Sequence, residues 1–302
     1  MSAKPWPLCN EPLWAALGWH HGTVPQTVDE LISLFELTQT GELTFRGPQP
    51  RTLLQRLFGG QVLAQSLMAA MHTVSGTRVV HSLNAYFLRP GDPETPLSLA
   101  VEVLRDGRSF SSRQVVATQG DREIFRLSAS FHTPEPGLSH SSQQPQDVTP
   151  PEQSRSLRAV LEERFGRQVR RLSEWDALDV RLASPAHPSP EGGIMRAWVK
   201  TQEPLPDDPG LHAAVLAYLS DITLLSVSTV QHQVEFMSRS MQAASIDHAM
   251  WFHRPFRADA WLLYDMVSPS ASGARGFCTG RLYQDGVAVA SCAQEGLIRL
   301  VQ

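Results

Sequence analysis

Alternation of hydrophobic and polar residues dominates the part of the chain between residues 79 and 132. Large apolar side chains recur there at every second position, as in Leu97, Leu99 and Val101, and short turns interrupt the pattern. A period of two is typical of strands with one buried face, and short connections favour antiparallel pairing. The pattern predicts four antiparallel strands. They span residues 79–88, 97–103, 110–118 and 125–131.

A helical period precedes these strands, within residues 53–74. Four small or apolar residues fall on one side of this helix, which predicts at least one buried face. They are Leu63, Leu67, Ala70 and Met71. Gly59 and Gly60 stand just before this run, and glycine allows close approach of a sheet or a ligand. Upstream, apolar runs at residues 31–37 and 43–45 predict a short pair of strands.

The second half of the chain repeats this order. Residues 178–182 and 195–199 predict strands, residues 211–227 predict a helix, and three or four strands follow between residues 246 and 300. The order of strand, helix and further strands thus occurs twice, which indicates a duplicated unit.

Two positions test the register of this repeat. Phe87 and Phe252 are 165 residues apart (252 − 87), and so are Gly120 and Asp285 (285 − 120), which begin corresponding turns. A sheet buries one apolar face by wrapping around a helix, and two such units bury both helices when the sheets join edge to edge. The sequence therefore predicts an α+β protein with a double hot-dog fold, in which two antiparallel sheets each wrap around a central helix.

Composition marks the boundaries of the two units. Residues 1–27 mix Pro, Trp and His without a period and are predicted to be an N-terminal extension. The first hot-dog unit is assigned to residues 28–133 and the second to residues 176–302. Residues 134–175 begin with a stretch rich in Pro, Ser and Gln, so they are predicted to be a linker. A short helix is expected within it, at residues 161–172.

Charge, hydropathy and cysteine content exclude several classes of protein. The net charge of −4 gives no reason to expect a nucleic-acid partner. No signal peptide and no apolar run long enough to cross a bilayer is visible, so we expect a cytoplasmic protein without membrane insertion. The three cysteines, Cys9, Cys278 and Cys292, are far apart and are expected to be free thiols. Exposed sheet edges favour a homo-oligomer.

Asp221 is the first candidate for a catalytic residue. The chain has no GxSxG elbow, phosphate loop, GxGxxG or HExxH motif, and we expect no metal and no cofactor. Asp221 joins an apolar stripe of the predicted 211–227 helix, where an unpaired carboxylate would cost free energy. The corresponding helix of the first half contains no acid. The alternative roles for Asp221 are an exposed helix edge or a helix-end cap.

Gln294 and Ser245 are the next candidates. Gln294 corresponds to Ala129 in the register of the repeat, and an amide can both donate to and accept from a water molecule. Ser245 opens an aromatic block that ends at Phe256, and on its own it would be a strand-edge residue. Histidines within aromatic strands, such as His248, are more often packing residues than catalysts.

Six sequence blocks together resemble the acyl-CoA thioesterase II family. They are Phe58–Gln61, Phe87–Asp92, Leu104–Gly107, Leu216–Asp221, Ser245–Pro255 and Gln294–Gly296. The blocks run in family order over residues 28–133 and 176–299. The resemblance implies a double hot-dog fold and hydrolysis of fatty acyl-CoA to the free acid and CoA. It also implies a catalytic Asp, Thr and Gln that together hold the attacking water.

The three catalytic positions of the family fall on Asp221, Ser245 and Gln294. Ser245 replaces the family threonine: it keeps the hydroxyl but lacks the methyl group that restricts the rotamer. On this basis Asp221 is expected to accept the proton of the water. Ser245 and Gln294 are expected to orient the water towards the carbonyl carbon.

Substrate contacts rest on weaker signals. Backbone N–H groups at Gly59 and Gly60 would stabilise an oxyanion if the start of their helix faces the site. His81 is a further candidate, and apolar strands and helix faces would line a tunnel for a medium- to long-chain acyl group. Two alternatives stay open: an acyl-CoA-binding protein of low activity, and a hot-dog enoyl-CoA hydratase. The hydratase would need an Asp/His pair, and no acid stands near His72 or His81 in the sequence.

Overall fold

The computed structural model describes residues 25–49, 52, 54–165, 175–232, 234–236 and 240–301. Almost all of the predicted N-terminal extension lies outside these residues, and so does Cys9. Within these residues, the first half contains two helices and six strands. They are α1 (Val28–Ser33), β1 (Thr38–Gly41), β2 (Thr44–Gly47), α2 (Gly59–His72), β3 (Val79–Phe87), β4 (Leu97–Asp106), β5 (Phe110–Gln119) and β6 (Arg122–His132).

The four strands predicted from the alternating pattern are confirmed as β3 to β6, but the strand predicted at residues 31–37 is wrong. That segment begins with helix α1, because Thr27 and Glu30 form a capping box. The Thr27 side chain accepts a hydrogen bond from the Glu30 N–H at 3.2 Å, and the Glu30 carboxylate accepts one from the Thr27 N–H at 3.3 Å. These bonds satisfy N–H groups that a helix start leaves free. The strand pair is formed instead by β1 and β2.

The second half has the same general order. After a 3₁₀ turn at Pro151–Gln153 come β7 (Arg155–Ser156), α3 (Leu157–Phe165), β8 (Leu178–Ser189), β9 (Gly192–Thr201), α4 (Pro209–Ser220), a 3₁₀ helix (Leu224–His232), β10 (Met241–Ser245), β11 (Asp247–Phe252), β12 (Leu262–Ser272), β13 (Arg275–Gln284) and β14 (Val287–Leu300). Helix α3 starts four residues before the predicted helix, whose later residues lie outside the described part of the chain.

The segment between the halves lies against the second half. The Ser142 Oγ is 3.2 Å from the Tyr283 hydroxyl, and Gln143 forms an isolated bridge with Val287. Further along, the Trp198 indole N–H donates to the Thr149 carbonyl at 2.7 Å. The connection predicted as a linker is therefore packed along β9, β13 and β14.

The helix predicted at residues 211–227 is wrong as one continuous element. Helix α4 ends at Ser220, Asp221 is its C-cap residue, and a 3₁₀ helix resumes at Leu224. The carboxylate of Asp221 is bound by groups outside the helix, as described below, and the β-branched Ile222 and Thr223 have reduced helix propensity.

The segment Pro209–His232 corrects a second expectation. By length and composition it is long and apolar enough to span a bilayer, contrary to the prediction that no such run is present. Most of it is buried inside the fold, which is the position of a core helix. Burial against the sheet and against α2 accounts for its apolar character.

The two halves join into one antiparallel sheet. In the described part of the chain, this sheet has 14 strands in the order β1-β2-β4-β5-β6-β3-β11-β14-β13-β12-β9-β8-β7, with β10 paired to β14. The halves meet where β3 pairs with β11, at Tyr86 opposite Asp247 and Ser82 opposite Trp251. Corresponding turns of the two halves share a left-handed residue, with φ of 57° at Gly120 and 51° at Asp285. Edge-to-edge joining of two duplicated units was the arrangement predicted from the repeat.

Helices α2 and α4 pack side by side against this sheet and run antiparallel. A Cβ added at Gly60, at the start of α2, would lie 2.5 Å from the Tyr218 carbonyl near the end of α4. At the other end, a Cβ on Gly210 would lie 3.3 Å from the Met71 sulfur. The amino end of α2 is therefore beside the carboxyl end of α4, where Asp221 lies. This is the double hot-dog fold, with both central helices buried.

Candidate active site

Asp221 lies at the junction of the two halves and is almost completely buried, with a side chain 4% exposed. Its carboxylate accepts a hydrogen bond from the backbone N–H of Gly60, in the first turn of α2. A Cβ on the neighbouring Gly59 would lie 2.6 Å from Asp221 Oδ2 and 2.8 Å from the Phe87 ring. The glycine pair therefore allows the carboxylate to approach the amino end of a helix, where N–H groups and the helix dipole favour negative charge.

Ser245 and Gln294 contact the same carboxylate. Ser245 ends β10 and Gln294 lies in β14, and the pairing of these strands sets Ser245 opposite Gly296. The Gln294 Nε2 donates to Asp221 Oδ1 at 2.5 Å and to the Ser245 Oγ at 3.0 Å. The Ser245 hydroxyl donates to Asp221 Oδ1 at 3.3 Å. The structure thus brings together the three residues singled out in the sequence.

Burial raises the pKa of Asp221 from its ordinary value of 3.8 to about 6. Hydrogen bonds from Gln294, Ser245 and the Gly60 N–H favour the ionised form and oppose part of this increase. A carboxyl group with a pKa near neutrality can accept and return a proton at ordinary pH. Asp221 therefore has the chemistry of a general base.

His248 lies beside this group, although the sequence favoured a packing role for it. Its Nδ1 is 3.9 Å from Asp221 Oδ1, and its Nε2 is 2.9 Å from the Ser220 Oγ. Burial lowers the pKa of His248 to about 3, so the ring is neutral. The available signal for His248 was its position in β11. Side chains of this strand alternate between the inner and the outer face of the sheet, and the inner ones, His248 and Met250, are fully buried.

Aromatic side chains surround the start of α2. The rings of Phe58 and Tyr218 meet edge to face at 5.0 Å, and Phe58 meets Trp175 in the same way at 5.5 Å. Phe87 stands on the other side, beside Gly59. Apolar walls keep the effective dielectric low, which strengthens the polar contacts of Asp221.

The structure does not bring His81 into this cluster. Its Nε2 is 2.8 Å from the Ser130 Oγ, and its ring meets Phe110 edge to face at 5.7 Å. On β3, Tyr86 is the residue opposite Asp247. His81 is five positions further along the strand, on the order of 16 Å away at the usual rise per residue. The substrate-binding role predicted for His81 has no support from its contacts.

The two described cysteines are free, as expected, and do not resemble nucleophiles. Burial raises the pKa of Cys278 to about 11 and that of Cys292 to about 12. Both thiols are therefore protonated and unreactive at neutral pH. Among the residues that the structure describes, no three His, Cys, Asp or Glu side chains are grouped so as to hold a metal ion.

Two family models match the chain. The model described as acyl-CoA thioesterase matches residues 179–297, and the acyl-CoA thioesterase N-terminal domain matches residues 48–132. Acyl-CoA thioesterase 2 of Haemophilus influenzae is 36% identical over 280 residues, with 90% of this chain and 98% of that protein covered. Human acyl-coenzyme A thioesterase 8 is 37% identical over 287 residues, covering 89% of this chain and 88% of that protein.

Solved structures agree with these relatives. The crystal structure of an acyl-CoA thioesterase II from Mycobacterium marinum is 41% identical, with a TM-score of 0.76, and the match covers 89% of this chain and 97% of that one. A hot-dog protein from Alicyclobacillus acidocaldarius has a TM-score of 0.74 at 20% identity, over 89% of this chain and 98% of that one, which supports the fold alone. The chain belongs to the acyl-CoA thioesterase II family and is a thioester hydrolase with a double hot-dog fold.

Proposed function

We propose that the chain hydrolyses medium- to long-chain acyl-CoA by a water molecule that Asp221, Ser245 and Gln294 hold. The observation that carries this proposal is the convergence of two polar side chains, from β10 and β14, on one buried carboxylate with a raised pKa. Convergent polar groups of this kind in an apolar surrounding are typical of active sites.

Each of the three side chains has a separate task. Asp221 takes a proton from the water as its oxygen attacks the carbonyl carbon. The Gln294 Oε1 is buried and has no hydrogen-bond partner among the described residues, so it is free to accept the second hydrogen of the water. The Ser245 hydroxyl helps to hold the water by fixing both Asp221 and Gln294 through its two hydrogen bonds.

The amino end of α2 brings the positive end of its helix dipole next to Asp221. Gly59 and Gly60 bring backbone N–H groups and the helix dipole next to Asp221. The Gly60 N–H is already bound to the Asp221 carboxylate, so we infer that the Gly59 N–H and the helix dipole stabilise the negative charge on the carbonyl oxygen as the tetrahedral intermediate forms. When the C–S bond breaks, the proton held by Asp221 passes to the sulfur of CoA. The net reaction converts thioester and water to acid and thiol.

Thiol release from palmitoyl-, decanoyl- and acetyl-CoA, followed with a thiol reagent, tests the activity and its chain-length preference. Each buried methylene contributes about 0.8 kcal/mol, so kcat/KM for the two longer substrates is expected to exceed that for acetyl-CoA by about tenfold or more. Equal rates for all three would contradict the chain-length proposal. Release from none would favour a binding protein, and hydration of crotonyl-CoA, followed by loss of enoyl absorbance, would favour a hydratase.

Two replacements of Ser245 distinguish the effect of its hydroxyl group from the effect of its side-chain size. Ser245→Ala removes one donor to Asp221 and one acceptor for Gln294, and kcat is expected to fall by about ten- to a hundredfold. The hydrogen bond from Ser245 lowers the pKa of Asp221, so its loss should move the acid limb of the pH–rate profile to higher pH.

Ser245→Thr is the matched control, because it keeps the hydroxyl and adds only a methyl group. We expect it to preserve or raise the wild-type kcat. A loss as large as that of Ser245→Ala would show that the position holds no catalytic hydroxyl.

Location and assembly are also proposals. We propose a cytoplasmic homo-oligomer, supported by exposed aromatic side chains at Tyr86, Trp251 and Phe277. Strand pairing sets all three on the same outer face of the sheet. Large aromatic side chains exposed on one face are typical of an interface between subunits. Sedimentation velocity measures the assembly, and a purely monomeric protein would contradict it.

A further inference from the structure

His248 is a buried titratable group that the proposed reaction leaves without a task. Its side chain is 0% exposed, and Nδ1 lies 3.9 Å from Asp221 Oδ1. This Nδ1 has no hydrogen-bond partner among the described residues. A buried nitrogen without a partner is costly, and such atoms in native proteins call for an explanation.

Hydrogen bonds on the other side of the ring determine which nitrogen carries the proton. The Ser220 Oγ is 2.9 Å from the Ala217 carbonyl oxygen and 2.9 Å from His248 Nε2. A carbonyl oxygen can only accept, so the single hydroxyl proton of Ser220 is directed to Ala217. The Ser220 Oγ therefore accepts from an Nε2–H, and the neutral ring of His248 has its lone pair at Nδ1.

This tautomer has opposite effects on the two forms of Asp221. The Nδ1 lone pair faces an oxygen of the ionised carboxylate, which is a repulsive arrangement. When the carboxyl group is protonated, its O–H can donate to Nδ1 after a closure of about 1 Å. We propose that His248 is a positioning residue whose Nδ1 accepts a hydrogen bond from protonated Asp221, and thereby helps Asp221 to take the proton of the attacking water. The inference rests on the proposed role of Asp221 as the base.

The proton path balances without ionising His248. In the attack step one O–H bond of water breaks, its electron pair forms the new C–O bond, and the proton joins the Asp221 carboxylate. The resulting carboxyl O–H points to Nδ1 of His248. When the C–S bond breaks, the proton moves from Asp221 to the thiolate sulfur, and the hydrogen bond to His248 is lost. The neutral ring gains and loses no proton.

Other titratable groups lie around the pair, and burial raises the pKa of one of them, Asp247, whose side chain does not contact that of His248. The Tyr264 hydroxyl donates to the Ser220 carbonyl at 3.1 Å and is 3.0 Å from the Cys292 sulfur, and burial raises the pKa of both groups above their ordinary range. Asp247 accepts the backbone N–H of Glu295 at 2.7 Å. Strand pairing puts Asp247 and Glu295 on the outer face of the sheet, opposite to His248.

His248→Gln removes the Nδ1 acceptor and retains an amide that can donate to Ser220 from the position of Nε2. Loss of the acceptor weakens the protonated form of Asp221, so the acid limb of kcat/KM should move to lower pH by about half a unit or more, opposite to the change in Ser245→Ala. The plateau is expected to fall about tenfold, as for other groups that orient a reacting side chain. An unchanged acid limb would overturn the proposal.

His212→Asn is a matched control in α4, the helix that Asp221 caps. His212 is also buried, its Nδ1 accepts the Ala258 N–H at 3.0 Å, and its Nε2 has no partner within the described part of the chain. Asparagine retains an acceptor at the position of Nδ1 and removes the unpartnered nitrogen. We expect no movement of the acid limb in this variant. A movement equal to that of His248→Gln would attribute the effect to general loosening of the core.

¹⁵N NMR of the imidazole nitrogens in the wild-type protein tests the tautomer without substrate. This measurement does not depend on the variant, so it tests the proposal even if His248→Gln fails to fold. The ring of His248 is expected to stay neutral, with the proton on Nε2, between about pH 5 and pH 9. Its Nδ1 resonance should shift with the midpoint of the Asp221 titration. A proton on Nδ1 would overturn the inference even if hydrolysis proceeds, whereas absence of hydrolysis would overturn the proposed function alone.

Discussion

Asp221→Asn is expected to lower kcat by about a thousandfold or more, while palmitoyl-CoA still binds. The amide occupies the same space but cannot accept the proton of the attacking water. Removal of a general base, together with its electrostatic effect on the transition state, lowers kcat by a factor of this order. Steady-state thiol release gives kcat, and isothermal titration calorimetry gives the affinity for substrate. Activity within a factor of ten of the wild type would remove Asp221 from the proposed role.

Asp179→Asn is the control for loss of a buried carboxylate elsewhere. Asp179 is also largely buried, but its partner is Arg181, at 2.7 Å on strand β8, and it contacts none of the site residues. We expect kcat of this variant to stay within a factor of about two of the wild type, although its free energy of unfolding should decrease because a partly buried ion pair is broken. An equal loss of kcat in both variants would indicate a general effect of stability.

The folded state of Asp221→Asn can be checked by the pH dependence of its unfolding. The pKa of Asp221 is raised by folding, so its contribution to stability is fully present below the ordinary value of 3.8 and is lost as pH rises through about 6. At pH 8 the ionised group costs at most about 3 kcal/mol. The asparagine variant should therefore have a Tm at least equal to that of the wild type at this pH.

Gly60→Ala is expected to unfold at much lower denaturant concentration and to lose most of its activity. Its Cβ would lie 2.5 Å from the Tyr218 carbonyl and 2.6 Å from the Phe58 ring. The carbonyl belongs to the backbone of α4 and cannot move aside alone, so α2 and α4 must separate. Overpacking of this kind costs about 1–3 kcal/mol, and the shift also withdraws the Gly60 N–H from Asp221.

Gly137→Ala provides the matched substitution in open space. No atom lies within 4 Å of the Cβ that it would add. Its free energy of unfolding, measured with urea, is expected to stay within about 0.5 kcal/mol of the wild type. If Gly60→Ala were equally mild, the close approach of the two helices would not be required for folding.

The regular strands and the repeat were predictable because both can be read from the pattern of residues along the chain. Alternation of apolar residues located β3 to β6, and a constant offset between Phe87 and Phe252 indicated two units. Helix α1 was missed because its apolar residues are too few to distinguish a short helix from a strand. The capping box of Thr27 and Glu30 was the better signal.

The sequence was sufficient to predict which residues form the site, but not how these residues contact one another. Asp221, Ser245 and Gln294 were indicated by the family resemblance, but their contacts depend on where α4 ends and on the register of β10 and β14. His248 was missed because its significance lies in a single lone pair directed at Asp221. A histidine in an aromatic strand gives no sign in the sequence of what its ring faces.

The site also draws on both halves of the chain, because the N–H of Gly60 belongs to the first unit and Asp221 to the second. A site shared between two separate chains would be lost on dilution, as the chains dissociate. Here the covalent connection fixes the ratio of the two units at one to one and holds them at an effective concentration on the order of millimolar. The chemistry of the site is thereby made independent of how much of the protein is present.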